Sequence, residues 1–219
     1  PKSTFRPILY ILQERIKGIE TYLHTDPNPN YNKIKFEFLK NFNVYHNVLK
    51  TSYFLDKGIL KGTFGIFIND MKTLLPKIIE IFKADYQFIK EITKTFTKSL
   101  HHLGETTILY FDIINDLMLK TYIENPENHS CLSVINSLYT ETIKHSQEKK
   151  AYISTSFLEL CGYIVKNIIA MRNNQIEAIT HFAQLFISVS NNLEYLALKE
   201  EPFNETITLF QNADRKSVV

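Results

Sequence analysis

The chain has 219 residues, of which 44% are hydrophobic and 22% charged, and its formal net charge is +2. This length can bury a sizeable core in one or two domains, and the nearly balanced charge argues against a strongly electrostatic nucleic-acid-binding protein. Two cysteines, Cys131 and Cys161, are too few and too far apart for a disulfide framework, which favours a reducing compartment. The sequence contains no apolar run of the roughly 18 residues that a transmembrane helix needs, and no signal peptide is visible.

A first pair of amphipathic helices is predicted over approximately residues 5–54. Apolar side chains at helical spacing predict one helix over 7–22 and another over 32–54. A polar segment with two prolines separates them and is predicted to be a loop. Gly58 and Gly62 are expected to bracket the turn before the next pair.

The second predicted pair covers residues 63–103. Its first helix, 63–82, contains Pro76, which should kink the helix because the proline ring displaces one backbone hydrogen bond. Its second helix, 86–103, has the most regular pattern in the chain, and Gly104 supplies the expected stop. One side of this helix carries Ile89, Ile92, Phe96, Leu100 and Leu103, whereas the opposite side carries Lys90, Lys94, Lys98 and His101.

Two further pairs are predicted over residues 106–145 and 150–190, and a shorter, partial one over 202–219. The last residues, Ser217–Val219, follow Asp214 as the opening turn of a helix follows its N-cap. A helix that stops after one turn has lost whatever it packed against. The chain is therefore expected to be an internal piece of a longer protein.

The predicted pairs recur at a regular spacing. Their starts fall near Thr63, Thr106 and Lys150, with a fainter start near Pro202, and a period of about 40 to 50 residues is typical of HEAT-type solenoids. Phe and Tyr residues follow the helical period, and strand-like alternation is almost absent. The sequence thus predicts an all-α protein, with residues 1–219 forming a single solenoid of antiparallel helix hairpins. Solenoids of this kind usually bind other macromolecules along a curved surface.

Three short patterns between Leu74 and Thr140 resemble a known family. Leu75-Pro76 lies inside the first helix of a hairpin, the segment from Ile89 to Gly104 forms a helix with a glycine stop, and Asn128-His129-Ser130-Cys131-Leu132 opens another helix. Together they resemble the importin-13 and transportin-SR branch of the karyopherin-β nuclear transport receptors. Weaker similarity extends upstream and downstream of this middle third.

The resemblance implies a Ran-regulated carrier that binds protein cargo and shuttles between nucleus and cytoplasm. Nucleoporins are further partners to be expected, whereas a membrane or a direct nucleic-acid partner is not. In this family Ran-GTP binds chiefly to amino-terminal hairpins, which this chain is not expected to contain. The identity of the cargo and the direction of transport, import or export, are left open.

One helix departs from the transportin-SR pattern. In that receptor the helix that matches 86–103 is rich in arginine and reads Arg-Ser or phosphoserine tails, but here the matching positions hold Glu91, Lys94, Thr97 and His101. Lysine is not equivalent to arginine in bidentate phosphate recognition. This difference favours an importin-13-like cargo surface, whereas His129-Ser130-Cys131 favours the transportin-SR branch, so both stay open.

The row Lys90, Lys94, Lys98 and His101 is the candidate cargo-binding face, and the alternative is an ordinary solvated face. No catalytic, cofactor-binding or metal-binding residues are predicted, and the protein is expected not to be an enzyme. His101 and His102 diverge by about 100° around a helix and have no third ligand at a suitable spacing. Cys131 and Cys161 lie in apolar helical stretches and are expected to be small buried residues.

Two other functions compete with the transport receptor. The first is a Ran-independent HEAT-repeat scaffold or regulatory subunit for protein–protein interaction. The second is an RNA-binding helical repeat, which the modest charge disfavours together with the lack of a repeated base-reading position.

Overall fold

The computed structural model describes residues 6–146, 148–170 and 176–190. Within these ranges the chain is all-α, as predicted, and no strand occurs. A 3₁₀ segment, Gly104–Tyr110, separates the fourth and fifth of the α-helices. The helices are α1 (Arg6–Thr25), α2 (Tyr31–Leu55), α3 (Lys57–Phe82), α4 (Tyr86–Leu103), α5 (Phe111–Glu124), α6 (Ser130–His145), α7 (Glu148–Ala170) and α8 (Ile176–Ser190).

The helices pack in two series of contacts. The even-numbered helices follow one another, since α2 contacts α4, α4 contacts α6 and α6 contacts α8. On the other side α1 contacts α3, and α3 contacts α5. The helices of each early pair also contact each other, α1 with α2, α3 with α4 and α5 with α6. Each helix of the chain's middle part therefore buries one side against its pair partner and its flanks against the neighbouring pairs.

Aromatic rings fill the space between the first four helices. Phe42 of α2 is completely buried, and its ring centroid lies 5.5 Å from that of Phe67 on α3 and 5.9 Å from that of Phe96 on α4. Tyr45, also completely buried, has its ring 5.2 Å from that of Phe67. Burying such rings contributes most of the packing energy of a helical core, so this cluster joins the first pair of helices to the second.

The start of α3 differs from the prediction. The hairpin was expected to begin at Thr63, but the helix begins at Lys57 and includes both Gly58 and Gly62. The reason is Asp56, whose backbone N–H donates to the carbonyl of Ser52 at the end of α2. The carboxylate of Asp56 accepts from the N–H of Ile59 at 3.0 Å. One aspartate therefore ends one helix and caps the next, and no glycine turn is needed.

The junction after α4 matches the prediction in one respect and differs in another. Gly104 has a φ of +54°, a conformation that side chains with a Cβ rarely adopt, so the predicted glycine stop is confirmed. The α-helix expected from Thr106 begins only at Phe111, because the 3₁₀ segment comes first. Pro76 lies inside α3, which is helical on both sides of it, and the predicted kink stays a prediction.

The loop between α5 and α6 is tied to the end of α3. The side-chain amides of Asn125 and Asn128 both donate to the backbone carbonyl of Lys83, at 2.8 and 2.9 Å. This carbonyl follows the last residue of α3 and lacks an intrahelical donor. The two amides therefore satisfy a helix end and position the start of α6.

The helices of the later pairs correspond closely to their predicted spans. α6 ends at His145, where the pair predicted over 106–145 ends, and α7 and α8 together span the residues predicted as helical over 150–190 to within a few positions. The partial pair predicted over 202–219 lies outside the described residues. Among the helices that are described, none is long and apolar enough to cross a membrane.

Candidate functional site

The candidate site is built on α4, whose orientation is fixed at both ends. Asp85 caps the helix by accepting from the N–H of Phe88 at 3.1 Å, and Lys35 of α2 forms an ion pair with the same carboxylate. The hydrogen bond from Lys35 lowers the pKa of Asp85 below its usual range. At the other end Gly104 stops the helix. The buried side of α4 consists of Phe88, Ile89, Ile92, Thr93, Thr95, Phe96, Ser99, Leu100 and Leu103.

Three of the four residues predicted to share the basic face are exposed. Lys94, Lys98 and His101 lie along one stripe of α4. Lys90 is half-buried at the border of this stripe, where its ammonium group lies 5.4 Å from the centroid of the Tyr86 ring. Of the predicted row, Lys94, Lys98 and His101 are thus exposed, and Lys90 lies within cation–π distance of an aromatic ring.

The three exposed residues differ in their partners. Lys94 lies 3.9 Å from the carboxylate of Glu91 on the same helix. His101 lies 3.5 Å from the carboxylate of Glu141 on α6. Lys98 forms no ion pair with any residue in the described part of the chain. The uncompensated charge of the α4 stripe is thus greatest at Lys98.

The basic surface extends from α4 onto α2. Burial lowers the pKa of His46, and the charges of Lys98, Lys50 and His102 lower it further. Burial also lowers the pKa of His102, followed by the charges of His101 and Lys50. These residues of two helices are therefore close enough to repel one another. We refer to His46, Lys50, Lys98, His101 and His102 as the basic patch.

His46 and Lys50 were missed by sequence reasoning. They stand four residues apart on α2 and so share one side of it. This spacing was visible in the sequence, but it indicates a shared basic surface only because α2 packs beside α4. The Nδ1 atom of His46 is buried and has no hydrogen-bond partner in the described structure, and the cations beside this imidazole disfavour its protonation.

A cavity of about 770 Å³ adjoins the patch at the carboxyl end of α4. Lys61 from α3, His101 and His102 from α4, Glu105 from the 3₁₀ segment and His145 from α6 all line it. Three imidazoles and one ammonium group face a single carboxylate there.

Glu141 is the carboxylate that holds one edge of the site. It is buried, and it accepts a hydrogen bond from Lys144 at 2.9 Å in addition to its contact with His101. A buried carboxylate beside an ammonium group is a fixed counter-ion. Lys50 and Lys98 make no ion pair with described residues and have no such counter-ion.

The other candidate groups have structural surroundings. Cys131 and Cys161 are buried, as predicted, and burial raises the pKa of each thiol to about 12, so both remain protonated at neutral pH. Among the residues that the structure describes, no group of three or more His, Cys, Asp or Glu could hold a metal ion.

Comparison with known proteins adds no relative. No family model matches the chain, and neither a curated protein nor a solved structure matches it. The similarity to nuclear transport receptors therefore depends on the short sequence patterns alone, chiefly Leu75-Pro76, the α4 segment and the start of α6.

Proposed function

We propose that this chain is a HEAT-type helical-repeat segment that binds an acidic surface of a protein partner, as part of a karyopherin-β-like nuclear transport receptor. The observation that carries the proposal is the basic patch. Its five side chains come from α2 and α4, and Lys50 and Lys98 have no ion-pair partner in the described residues. Five neighbouring basic groups raise the local concentration of an acidic partner and speed its association.

The order of helix contacts supports a repeat architecture. In a solenoid each hairpin packs only against its neighbours. Here the second helices of successive pairs contact one another in the order α2, α4, α6 and α8, and the first helices α1, α3 and α5 do the same. Such a series is expected when hairpins of one kind are stacked along an axis.

The patch lies on the row of second helices. Both α2 and α4 close their hairpins, and both belong to the even-numbered series. In HEAT solenoids a row of equivalent helices lines an extended concave surface on which partners bind. We propose that the basic patch occupies this surface and that the cargo presents carboxylate groups to it.

The transport role comes from the resemblance. It adds Ran-GTP, nucleoporins and shuttling between nucleus and cytoplasm to the proposal. A Ran-independent scaffold would use the same patch to hold a partner permanently, so the two functions differ in whether Ran-GTP changes the binding.

The test is a capture experiment with the full-length protein, with and without Ran-GTP. We expect Lys50→Glu with Lys98→Glu to lose partners that the wild type captures, most clearly at low salt, because exposed charges act through screened long-range fields. The matched control is Lys72→Glu with Lys120→Glu, which reverses two exposed lysines on the first helices α3 and α5.

Three outcomes separate the hypotheses. Loss of partners in the patch variant, together with a Ran-GTP effect on the wild type, supports a transport receptor. The same loss with no effect of Ran-GTP supports the scaffold. Equal partner sets for the wild type and both variants would show that the patch is merely solvated.

A further inference from the structure

A second cavity lies between α1 and α2, away from the basic patch. Its volume is about 410 Å³, within the range of roughly 300 to 1,000 Å³ that is typical of ligand pockets. The two helices are joined by a short loop, and the cavity is lined from α1 by residues between Arg15 and Tyr22 and from α2 by residues between Lys33 and Asn41. Gly18 is the residue of α1 midway between these ends, and a Cβ at this position would have no heavy atom within 4 Å. The cavity is therefore open where a side chain would otherwise fill it.

The rim of this α1–α2 pocket is cationic. Arg15, Lys33 and Lys40 line it together with one carboxylate, Glu37. None of the three cations forms an ion pair with a residue in the described ranges. Lys33 lies 5.9 Å from the centroid of the Tyr22 ring, which lines the same cavity. The rim thus carries a net positive charge that favours binding of an anion. Because Glu37 would repel a ligand with several negative charges, a singly charged anion is favoured.

A buried polar side chain is among the residues that line the pocket. Asn41 is only 1% exposed, and its Nδ2 donates to the backbone carbonyl of Glu37 at 2.8 Å. The other polar atom of this side-chain amide, the acceptor Oδ1, has no hydrogen-bond partner in the described structure. Buried acceptors without a donor are rare, and each costs about 1 to 3 kcal/mol. Ile19 and Ile34 supply apolar surface beside it.

We propose that the α1–α2 pocket binds a carboxylate ligand that carries an aliphatic group and an amide N–H, the chemistry shared by an N-acylated amino acid and the last residue of a peptide. The carboxylate would be held by Arg15 and Lys40, because guanidinium and ammonium groups form the strongest hydrogen bonds to carboxylates. The aliphatic group would pack against Ile19 and Ile34, and the amide N–H would satisfy the free acceptor of Asn41. This site is independent of the basic patch.

The test uses N-acetyl-leucine as the probe, titrated into the protein and followed by NMR chemical shifts. N-acetyl-leucinamide, which lacks the carboxylate, and acetate, which lacks the other two groups, should each bind more weakly by about tenfold or more. Arg15→Gln with Lys40→Gln should weaken N-acetyl-leucine binding by a similar factor. The matched charge control is Lys72→Gln, because Lys72 is exposed and lies on α3 outside the pocket.

A glycine substitution separates occlusion of the pocket from loss of charge. Gly18→Leu should abolish binding of N-acetyl-leucine, since the new side chain would enter the open space without removing a cation. Gly62→Leu is the control, because Gly62 is also exposed, helical and free of neighbours within 4 Å. Both substitutions should keep or raise the melting temperature, because leucine favours a helix more than glycine does.

The proposal is wrong if N-acetyl-leucinamide binds as tightly as N-acetyl-leucine, or if Gly18→Leu leaves the titration unchanged. A tripeptide that ends in leucine identifies the natural source of the ligand. Tighter binding of the tripeptide would indicate a peptide carboxyl terminus, and equal binding would indicate a small acylated acid.

Discussion

The two basic regions of this molecule are built on different scales. The basic patch takes its charges from two hairpins, through α2 and α4, and two of its members, His46 and His102, have lowered pKa values because they are partly buried beside other cations. The α1–α2 pocket takes its charges from one hairpin, contains no histidine, and encloses a cavity. A surface shared between helices therefore depends on how the helices pack, whereas a pocket within a hairpin depends mainly on the hairpin itself.

The largest loss of stability is expected from Phe42→Ala, which removes packing between α2 and α4, the two helices that form the basic patch. Phe42 is completely buried, between Phe67 of α3 and Phe96 of α4. Its truncation should lower the free energy of unfolding by about 3 to 5 kcal/mol, as measured by denaturant titration. Phe36→Ala, on the same helix but 65% exposed, is the control and should change the stability little.

A smaller loss of stability is expected at the hydrogen bonds that join α1 and α2, the helices of the pocket, to α3. Asp70 of α3 accepts hydrogen bonds from Tyr45 of α2 and from Gln13 of α1. Tyr45→Phe should lower the free energy of unfolding by about 1.5 kcal/mol, because it removes a hydrogen bond to a charged group but leaves Asp70 one partner. Tyr10→Phe, at a position 63% exposed, should have no measurable effect. Equal stability of both variants would show that Asp70 does not hold the hairpin.

The pH dependence of stability should distinguish the two regions. The folded-state pKa values of His46 and His102 lie below the ordinary value of about 6.5. As the pH falls, the unfolded chain therefore takes up protons before the folded chain does, and stability present above about pH 6.5 is lost below it. The melting temperature should fall between about pH 7.5 and pH 5.5. His46→Gln with His102→Gln should reduce that fall.

The pH dependence of ligand affinity should also differ between the α1–α2 pocket and the basic patch. No histidine lines the α1–α2 pocket, so the affinity for N-acetyl-leucine should be constant between about pH 7.5 and pH 5.5. The patch should behave differently toward poly-glutamate, because His46 and His102, whose pKa values lie below the usual value, gain charge beside Lys50 and Lys98 as the pH falls. Poly-glutamate should bind more tightly at the lower pH, and an unchanged affinity there would contradict the patch assignment.

The smallest effect is expected from Lys94→Ala. Lys94 and Glu91 are both more than half exposed, at a distance of 3.9 Å on one helix. Exposed pairs of this kind contribute about 0.5 kcal/mol or less, so the melting temperature should be almost unchanged. Poly-glutamate binding should also fall less than in Lys98→Ala, because Glu91 already offsets the charge of Lys94. A larger loss from Lys94→Ala would mean that the patch lies farther towards the amino end of α4.

Some features of the candidate site could be predicted from the local sequence pattern, and others could not. The exposure of Lys94, Lys98 and His101 follows from the apolar stripe on the other side of α4, and this was predictable from spacing alone. The partial burial of Lys90 was not, since it depends on where the Tyr86 ring lies. Asp56 is a case between these two, because an aspartate before an apolar run is a recognised helix start, but the nearby Gly58 and Gly62 favoured a turn.

The sequence by itself determined the all-α class, the approximate position of the described helices apart from the starts of α3 and α5, and the glycine stop at Gly104, because these depend on side-chain period and on backbone freedom within a few residues. Only the tertiary structure decided that His46 and Lys50 join the α4 stripe, that Glu141 lies against His101, and that Arg15 and Lys40 share one cavity with Asn41. Such groupings bring together residues from different helices. They depend on which helices pack side by side and in what register, and no local period encodes that choice.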